Sequence, residues 1–212
     1  MKDSLTLEDC VAVLNAINAT IQDNATLLCK LDSTVGDGDH GTTLARGLKA
    51  GMEAVDAQSP VSISELFQLL GKTMVSSMGG ASGPLFGSLF RAMGGAYKEC
   101  ETVGTKELHA MFEAGAAKVM KLGKAERGYK TLLDSLLPGI ESLETSAASG
   151  ASLSDALSSM AEAAEAGVES TKEMVAKSGR ARYAGERGLG HADAGATSIA
   201  LMIRAFADTV AE

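Results

Sequence analysis

The chain has 212 residues, 45% of them hydrophobic, and a formal net charge of −8. That length suits one domain with a full core, and residues 1–212 are read as a single domain. The acidic balance argues against direct binding to nucleic acid or to an anionic membrane, since both would repel it, but leaves room for a local phosphate site whose sign a metal reverses.

Apolar spacing is helical from the start. Leu7, Val11, Leu14, Ile17 and Ile21 step by three or four behind Thr6-x-x-Asp9, which resembles a capping box, and predict a helix over 6–30. An irregular segment follows, Asp32–Gly41, and then a helix over 41–57. Ser62-x-x-Glu65 opens a third helix over 62–78, striped by Ile63, Phe67, Leu70, Met74 and Met78. After the small-residue segment Gly79–Gly83, Pro84 fits the first turn of a helix over 84–100. Helices over 105–122 and 130–146 flank the polar loop Gly123–Thr131. The stretch 147–170, rich in Ala, Ser and Glu, reads as a linker or as a helix. Leu153, Leu157 and Met160 keep helical spacing, so a helix over 152–178 is expected behind Ser152-x-x-Asp155. Gly179–Gly195 is irregular, and Ile199, Met202, Phe206 and Val210 stripe a last helix over 195–211. No segment alternates with period two. The fold class is therefore all-α, an antiparallel bundle of about eight helices. In such a bundle the four irregular loops can meet at one end and share a site.

Aromatic residues are only 4% and Trp is absent, which suits helices packed through small side chains. The three cysteines, Cys10, Cys29 and Cys100, form no C-x-x-C pair and read as reduced thiols of a cytoplasmic protein. The opening MKDSLTLEDC lacks the apolar run of a signal peptide, and no apolar stretch reads as long enough to span a bilayer.

The first irregular segment, L-D-S-T-V-G-D-G-D-H-G, carries Asp32, Asp37 and Asp39 within eight residues. Their mutual repulsion is costly unless a cation sits among them. Mg²⁺ suits them: it prefers oxygen and is held by a few carboxylates together with substrate phosphates. Gly36, Gly38 and Gly41 permit the backbone angles that converge the side chains. GDGDHG fits the G-x-G-x-x-G dinucleotide pattern only formally, because a helix precedes it and two acids would face a pyrophosphate. The EF-hand spacing is absent. A solvated acidic turn with Asp as helix caps remains the alternative. His40 reads as a structural histidine or as a hydrogen-bond donor to a phosphate oxygen. Gly41, Thr42 and Thr43 bring backbone N–H groups, and the threonines hydroxyls, to a helix N-terminus, an anion site by geometry and dipole.

Met78-Gly-Gly-Ala-Ser-Gly-Pro84 is the second candidate, a small-residue loop whose Ala81 and Ser82 lead straight into a helix; a plain helix–helix turn has the same composition. Gly71-Lys72-Thr73 ends like a Walker A motif, but Leu66 replaces the leading glycine and the segment lies in a helical stripe. Protein-kinase signatures are absent. Beyond Gly123-Lys-Ala-Glu-Arg-Gly-Tyr-Lys-Thr131, Leu132 and Leu133 are candidate floors for an adenine. Arg180 is a candidate phosphate ligand, and Asp193 a candidate cap for the last helix. Singly, each of these also reads as surface chemistry.

In order, D-x3-G-D-G-D-H-G, G-G-A-S-G-P-L-F-G, G-K-A-x-x-G-x-K-T and G-R-A-x-Y-x-G-E-R-x-x-G-H-x-D resemble the nucleotide-binding L subunits of dihydroxyacetone kinases, from about residue 6 to the C-terminus. The resemblance implies an all-helical antiparallel barrel with ADP or ATP at one end. It implies two magnesium ions held by Asp32, Asp37 and Asp39, phosphate contacts from His40 through Thr43 and from Ala81 and Ser82, and an adenine pocket lined by Gly123 and Leu132. Arg180 and the turn Ala192, Asp193, Ala194 would also touch nucleotide. In proteins of this kind a separate K subunit holds the ketose and the L component supplies the phosphoryl group. No residue here reads as a base for a sugar hydroxyl, consistent with a site that another chain completes. A homodimer or a heterotetramer with the K subunit follows, with the donor either ATP or a bound ADP recharged by a phosphotransferase-system M subunit. An ATP-dependent kinase subunit for another ketose, such as erythrulose, and a nucleotide-sensing regulator that contacts a transcription factor are the alternatives. Two positions depart from the pattern: Tyr129 replaces Asp in G-D-K-T, and Ala194 replaces Pro in D-P-G-A, which is expected to loosen the turn before the last helix.

Overall fold

A computed structural model describes residues 2–98 and 101–212. Among the described residues there are eight α-helices: α1 (Leu7–Ser33), α2 (His40–Gln58), α3 (Ile63–Ser77), α4 (Ser82–Ala96), α5 (Thr105–Gly123), α6 (Leu133–Ser149), α7 (Leu153–Ser170) and α8 (Ala194–Ala211). Each packs on the next in the chain, and α8 returns against α1, so the helices close into an antiparallel barrel. The caps follow the sequence signals. Thr6 and Asp9 form a reciprocal capping box, and Ser62 and Ser152 accept from the amides of Glu65 and Asp155. The one extended pairing among the described residues is an isolated bridge, Leu5 to Val103, at the end of the barrel opposite the four loops.

The apolar stripes point inward. On the axis, Val13, Ile17, Phe90, Met93, Ile203 and Phe206 surround a cavity of about 30 Å³ with a wholly apolar lining. Small residues set how closely the walls approach. An added Cβ on Gly71 would meet the Gly87 carbonyl oxygen at 2.4 Å, and one on Gly87 would meet that of Gly71 at 2.6 Å, so α3 and α4 touch backbone to backbone. One helix does reach the length of a membrane span, against expectation: α8 has 18 residues of mean hydropathy 1.2, but 56% of it is buried in the barrel, as a core helix requires.

Three boundaries move for identifiable reasons. α6 starts at Leu133 rather than 130 because Lys130 has φ +57°, a left-handed conformation no α-helix contains. α7 stops at Ser170 rather than 178 because the Thr171 carbonyl is taken by the amide of Met174 and the distant Lys130 ammonium. The stretch read as Gly179–Gly195 loop contains short 3₁₀ turns over Ala181–Gly188, broken at Gly185 (φ 57°, ψ −133°). α4 ends at Ala96, and the last two residues of its predicted span, Cys100 among them, lie outside the described residues. Cys10, free and buried, has its thiol pushed up to about 12 by burial first and by Asp9 second.

Candidate nucleotide and metal site

The helix order sends the α1–α2, α3–α4, α5–α6 and α7–α8 connections to one end of the barrel. Side-chain and backbone contacts join them there. His40 reaches Ser82, Arg180 pairs with Asp37, the Lys177 amide donates to the Tyr129 carbonyl, and the Gly188 Cα faces Val35.

Asp32 lies in the last turn of α1, not in a loop, and Asp39 is the N-cap residue of α2. Only residues 34–39 therefore make the connection. Asp32 Oδ2 accepts from the amides of Gly38 (2.8 Å) and Asp39 (3.1 Å), which folds the loop back over the end of α1. Ligand oxygens of Asp32, Asp37 and Asp39 come within 4.8 Å of one another. Asp32 also stands at the negative end of the α1 dipole, so the cluster accumulates unfavourable charge that a divalent cation offsets. Three hard oxygen donors fit Mg²⁺, and the Arg180 guanidinium on Asp37 already acts there as a stand-in cation.

The three glycines serve different ends. Gly38 takes φ +74°, so its left-handed freedom is used. Gly36 is needed for space: an added Cβ would lie 2.4 Å from Asp32 Oδ1. Gly41 lies inside α2 and lets that helix touch α1, since a Cβ there would lie 2.0 Å from the Ala25 carbonyl oxygen.

His40 is the first residue of α2 and is buried, 8% exposed. Its Nε2 lies 2.7 Å from Ser198 Oγ, its Nδ1 3.4 Å from Ser82 Oγ, and Phe86 packs against the ring. Burial lowers its pKa, opposed by Asp32 and Asp39, so the ring is neutral near pH 7. Asp39 makes no side-chain cap to α2, and Ala81 makes none to α4. Two helix N-termini thus open beside the aspartates. Thr42 is exposed, with its amide on Cys29 Sγ and its hydroxyl donating to the Asp39 carbonyl, whereas Thr43 is buried.

The other candidates ring this centre at different depths. Ser82 is half-buried beneath exposed Ala81, at the head of α4. Gly123, half-exposed at the end of α5, faces Leu85 of α4 across 3.4 Å, measured from an added Cβ. Leu132 is 6% exposed and lies under the first turn of α8 at Gly195, and Leu133 is fully buried in the core. Arg180 projects from an exposed loop onto Asp37. Ala192 is half-buried, Ala194 begins α8, and Asp193 caps it by accepting from the Ala196 amide at 2.8 Å. The Asp193 amide donates to Thr171 Oγ1 at 2.9 Å, so the turn is pinned without the proline. Burial pushes the Asp193 carboxyl up to about 6, helped by Asp134 and opposed by the cap amides and Lys130.

Two residues that organise this end carry no local signal of that role. Asp134, 1% exposed, accepts from the amides of Gly128 and Thr131 and so staples the α5–α6 loop. Lys130 is buried with its ammonium among carbonyls of the α7–α8 loop. Those partners lie 41 to 61 residues away in the chain, beyond any local pattern.

Comparison with known proteins bears on this geometry. The DAK2 domain matches residues 34–208. The chain is 39% identical over 196 residues to the ADP-binding subunit DhaL of PEP-dependent dihydroxyacetone kinase 1 from Listeria innocua, covering 92% of this chain and 93% of that one. It is 38% identical over 207 residues to the ADP-binding subunit DhaL of the PTS-dependent dihydroxyacetone kinase of Lactococcus lactis, covering 98% and 100%. Among solved structures it resembles the dihydroxyacetone kinase from C. freundii in complex with AMP-PNP and Mg²⁺, with a TM-score of 0.73 and 28% identity. That match covers 93% of this chain and 33% of the larger one, so the chain spans about a third of that kinase.

Proposed function

Because this chain belongs to the DAK2 domain family, we propose that it is the phosphoryl-donor subunit of a dihydroxyacetone kinase. In this reading it binds ADP or ATP with magnesium and transfers phosphate to dihydroxyacetone, or a related short ketose, held by a separate K subunit. The observation that carries the proposal is the convergence of Asp32, Asp37 and Asp39 within 4.8 Å at the loop end of a closed helical barrel, beside two helix N-termini without side-chain caps.

Each group has an assignable task. Asp32, Asp37 and Asp39 hold magnesium, with Asp32 fixed by the amides of Gly38 and Asp39. Magnesium, when bound, neutralises phosphate oxygens and so favours transfer. The N-termini of α2 and α4, through Gly41, Thr42, Thr43, Ala81 and Ser82, orient the phosphates. His40, neutral and braced by Ser198, presents its Nδ1 side toward Ser82. Arg180 moves between Asp37 and the phosphates, and Gly123, Leu132 and the 192–194 turn border the nucleoside. Transfer of this kind needs positioning and charge neutralisation, which these groups supply. The acceptor's own machinery belongs to the K subunit.

The relatives of matching length bear PEP- and PTS-dependent names, which favours a tightly held ADP recharged by a phosphotransferase-system M subunit. Localisation in the cytoplasm, where such partners meet, a single domain over 1–212, and two magnesium ions complete the proposal. Native mass spectrometry of the purified chain, with calorimetry against ADP and Mg²⁺, tests it. Retained ADP with two metal ions is expected. An empty chain that exchanges ATP freely would shift the donor to ATP, and no nucleotide binding at all would sink the reading. Turnover with a K subunit, a ketose and the phosphotransferase components separates a kinase subunit from a nucleotide-sensing regulator.

A further inference from the structure

Lys130 is among the most buried side chains of the protein, 2% exposed, yet it is a lysine. Its Nζ lies 2.8 Å from the Thr171 carbonyl oxygen, 3.2 Å from that of Met174, 2.6 Å from that of Gly188 and 2.8 Å from that of His191. An ammonium has three N–H groups, so the three short contacts saturate it and Met174 shares. Two of these carbonyls begin the α7–α8 connection and two end it. Together with the Gly190 amide on the Lys172 carbonyl (2.8 Å) and the Asp193 amide on Thr171 Oγ1 (2.9 Å), the ammonium closes that connection into a loop whose intervening part, residues 175–187, carries Arg180.

The lysine itself is held rigidly. Its backbone takes the left-handed φ of +57°, uncommon outside glycine, and the amides of Gly128 and Thr131 on either side are fixed by Asp134. Tyr129 adds a second tie: its carbonyl accepts from the Lys177 amide at 3.1 Å, and the Lys177 ammonium sits 5.3 Å from its ring centroid. Burying an ammonium is unfavourable, and a well-packed apolar side chain stabilises a core as well or better. A charge kept here is explained by what it orders. Apolar packing cannot gather four carbonyls from two chain segments to one point.

Resting on the nucleotide-site reading above, we propose that Lys130 is a positioning residue for that site: its ammonium clamps both ends of the α7–α8 connection, and so delivers Arg180 to the aspartate cluster and Asp193 to the head of α8. Lys130 touches neither nucleotide nor metal and acts through the loop it closes.

The test is a double-mutant cycle on the full chain, with Lys130→Met, Arg180→Ala and the double variant, reading MgADP affinity by calorimetry and hydrogen exchange in the nucleotide-free state. Each single change is expected to weaken MgADP binding about tenfold or more. In the Lys130→Met background, Arg180→Ala is expected to add less than about twofold, because the arginine is already misplaced. A lysine that merely stabilised the fold would give losses that multiply, which would overturn the proposal, as would native affinity in Lys130→Met. In the nucleotide-free chain, amides of 175–187 should exchange faster by at least about tenfold in Lys130→Met while α1 to α5 stay protected. Unchanged exchange there overturns the proposal even if the chain binds no nucleotide, a result that would separately sink the functional reading. Should Lys130→Met fail to fold, Lys130→Gln, which keeps a donor, is read in the same way. Failure of both to fold makes Lys130 a determinant of the fold and overturns its positioning role.

Discussion

Arg180 sets its guanidinium on the carboxylate of Asp37, joining the α7–α8 loop to the aspartate cluster across the mouth of the barrel. In the proposed function the same cation is a phosphate ligand, which requires it to leave Asp37 when metal and nucleotide bind. The two side chains are 64% and 44% exposed, which limits the pair to at most about 1 kcal/mol. Arg180→Ala is therefore expected to bind Mg²⁺ alone up to about fivefold more tightly, while binding MgADP more weakly. Calorimetric titrations with Mg²⁺ alone and with MgADP read the two signs separately. Losses in both titrations would deny Arg180 its place-holding role.

The aspartates should separate by variant. Asp37 and Asp39 are exposed and make no side-chain bond that supports the backbone, apart from the Arg180 pair. Asp37→Asn and Asp39→Asn are expected to cut Mg²⁺-dependent nucleotide binding by about tenfold or more each. They should leave the stability of the metal-free chain within about 1 kcal/mol of the parent, because repulsion within the cluster falls, offset for Asp37 by loss of the exposed Arg180 pair. Asp32→Ala differs, since it also removes the acceptor for Gly38 and Asp39 and should cost about 1–3 kcal/mol of stability. Thermal melts in chelator show the split. A fall in metal-free stability for Asp37→Asn larger than the roughly 1 kcal/mol of the Arg180 pair would mark that residue as structural.

Much of this end of the molecule is legible in the sequence, because its signals are local. The capping residues, the apolar stripes and the run Asp32 to Thr43 each act within a few positions, and the barrel places Asp32, Asp37 and Asp39 together as their spacing implies. What is not legible depends on contacts between distant segments. α7 keeps a helical pattern past Ser170, but the Thr171 carbonyl is captured by Lys130, 41 positions back. Gly41 looks like a loop glycine, yet its reason lies on α1, at the Ala25 carbonyl. His40 stands in the motif as a structural histidine or a hydrogen-bond donor to a phosphate oxygen, and only the fold shows Ser198, 158 positions away, on its Nε2.

Asp193 predicts a particular pH dependence. Its carboxyl is raised to about 6 in the fold, chiefly by burial, against about 3.9 in an unfolded chain. The folded state therefore holds the proton more tightly, and the contribution of this group to stability is present below pH 4 and lost as pH rises through 6. Asn keeps the capping oxygen and removes the titration. Asp193→Asn is expected to flatten the stability profile of the nucleotide-free chain between pH 4 and 6, gaining on the order of 1–2 kcal/mol at pH 7 relative to pH 4. Asp9, lowered to about 2 chiefly by Lys2, acts in the opposite sense and lower, between about pH 4 and 2, so the two windows do not overlap. Denaturant melts across that range give the slope, and an unchanged slope in Asp193→Asn would reject the assignment.

Two glycines of one motif should fail in different ways. A Cβ at Gly41 would lie 2.0 Å from the Ala25 carbonyl oxygen, and this is backbone that cannot swing aside. Gly41→Ala must push α2 off α1, as overpacking does, and is expected to cost about 3 kcal/mol or more of stability. A Cβ at Gly36 would lie 2.4 Å from Asp32 Oδ1, a side-chain oxygen that can rotate at the expense of its bonds to the Gly38 and Asp39 amides. Gly36→Ala should therefore spare the barrel and spoil the metal site. Its loss of stability in chelator is expected not to exceed the roughly 1–3 kcal/mol carried by those two bonds, less than for Gly41→Ala, while Mg²⁺-dependent nucleotide affinity falls about tenfold or more. Melting and calorimetry on the pair separate the two roles. Equal thermal losses in both variants would mean that the aspartate turn belongs to the core of the barrel and not to a site built upon it.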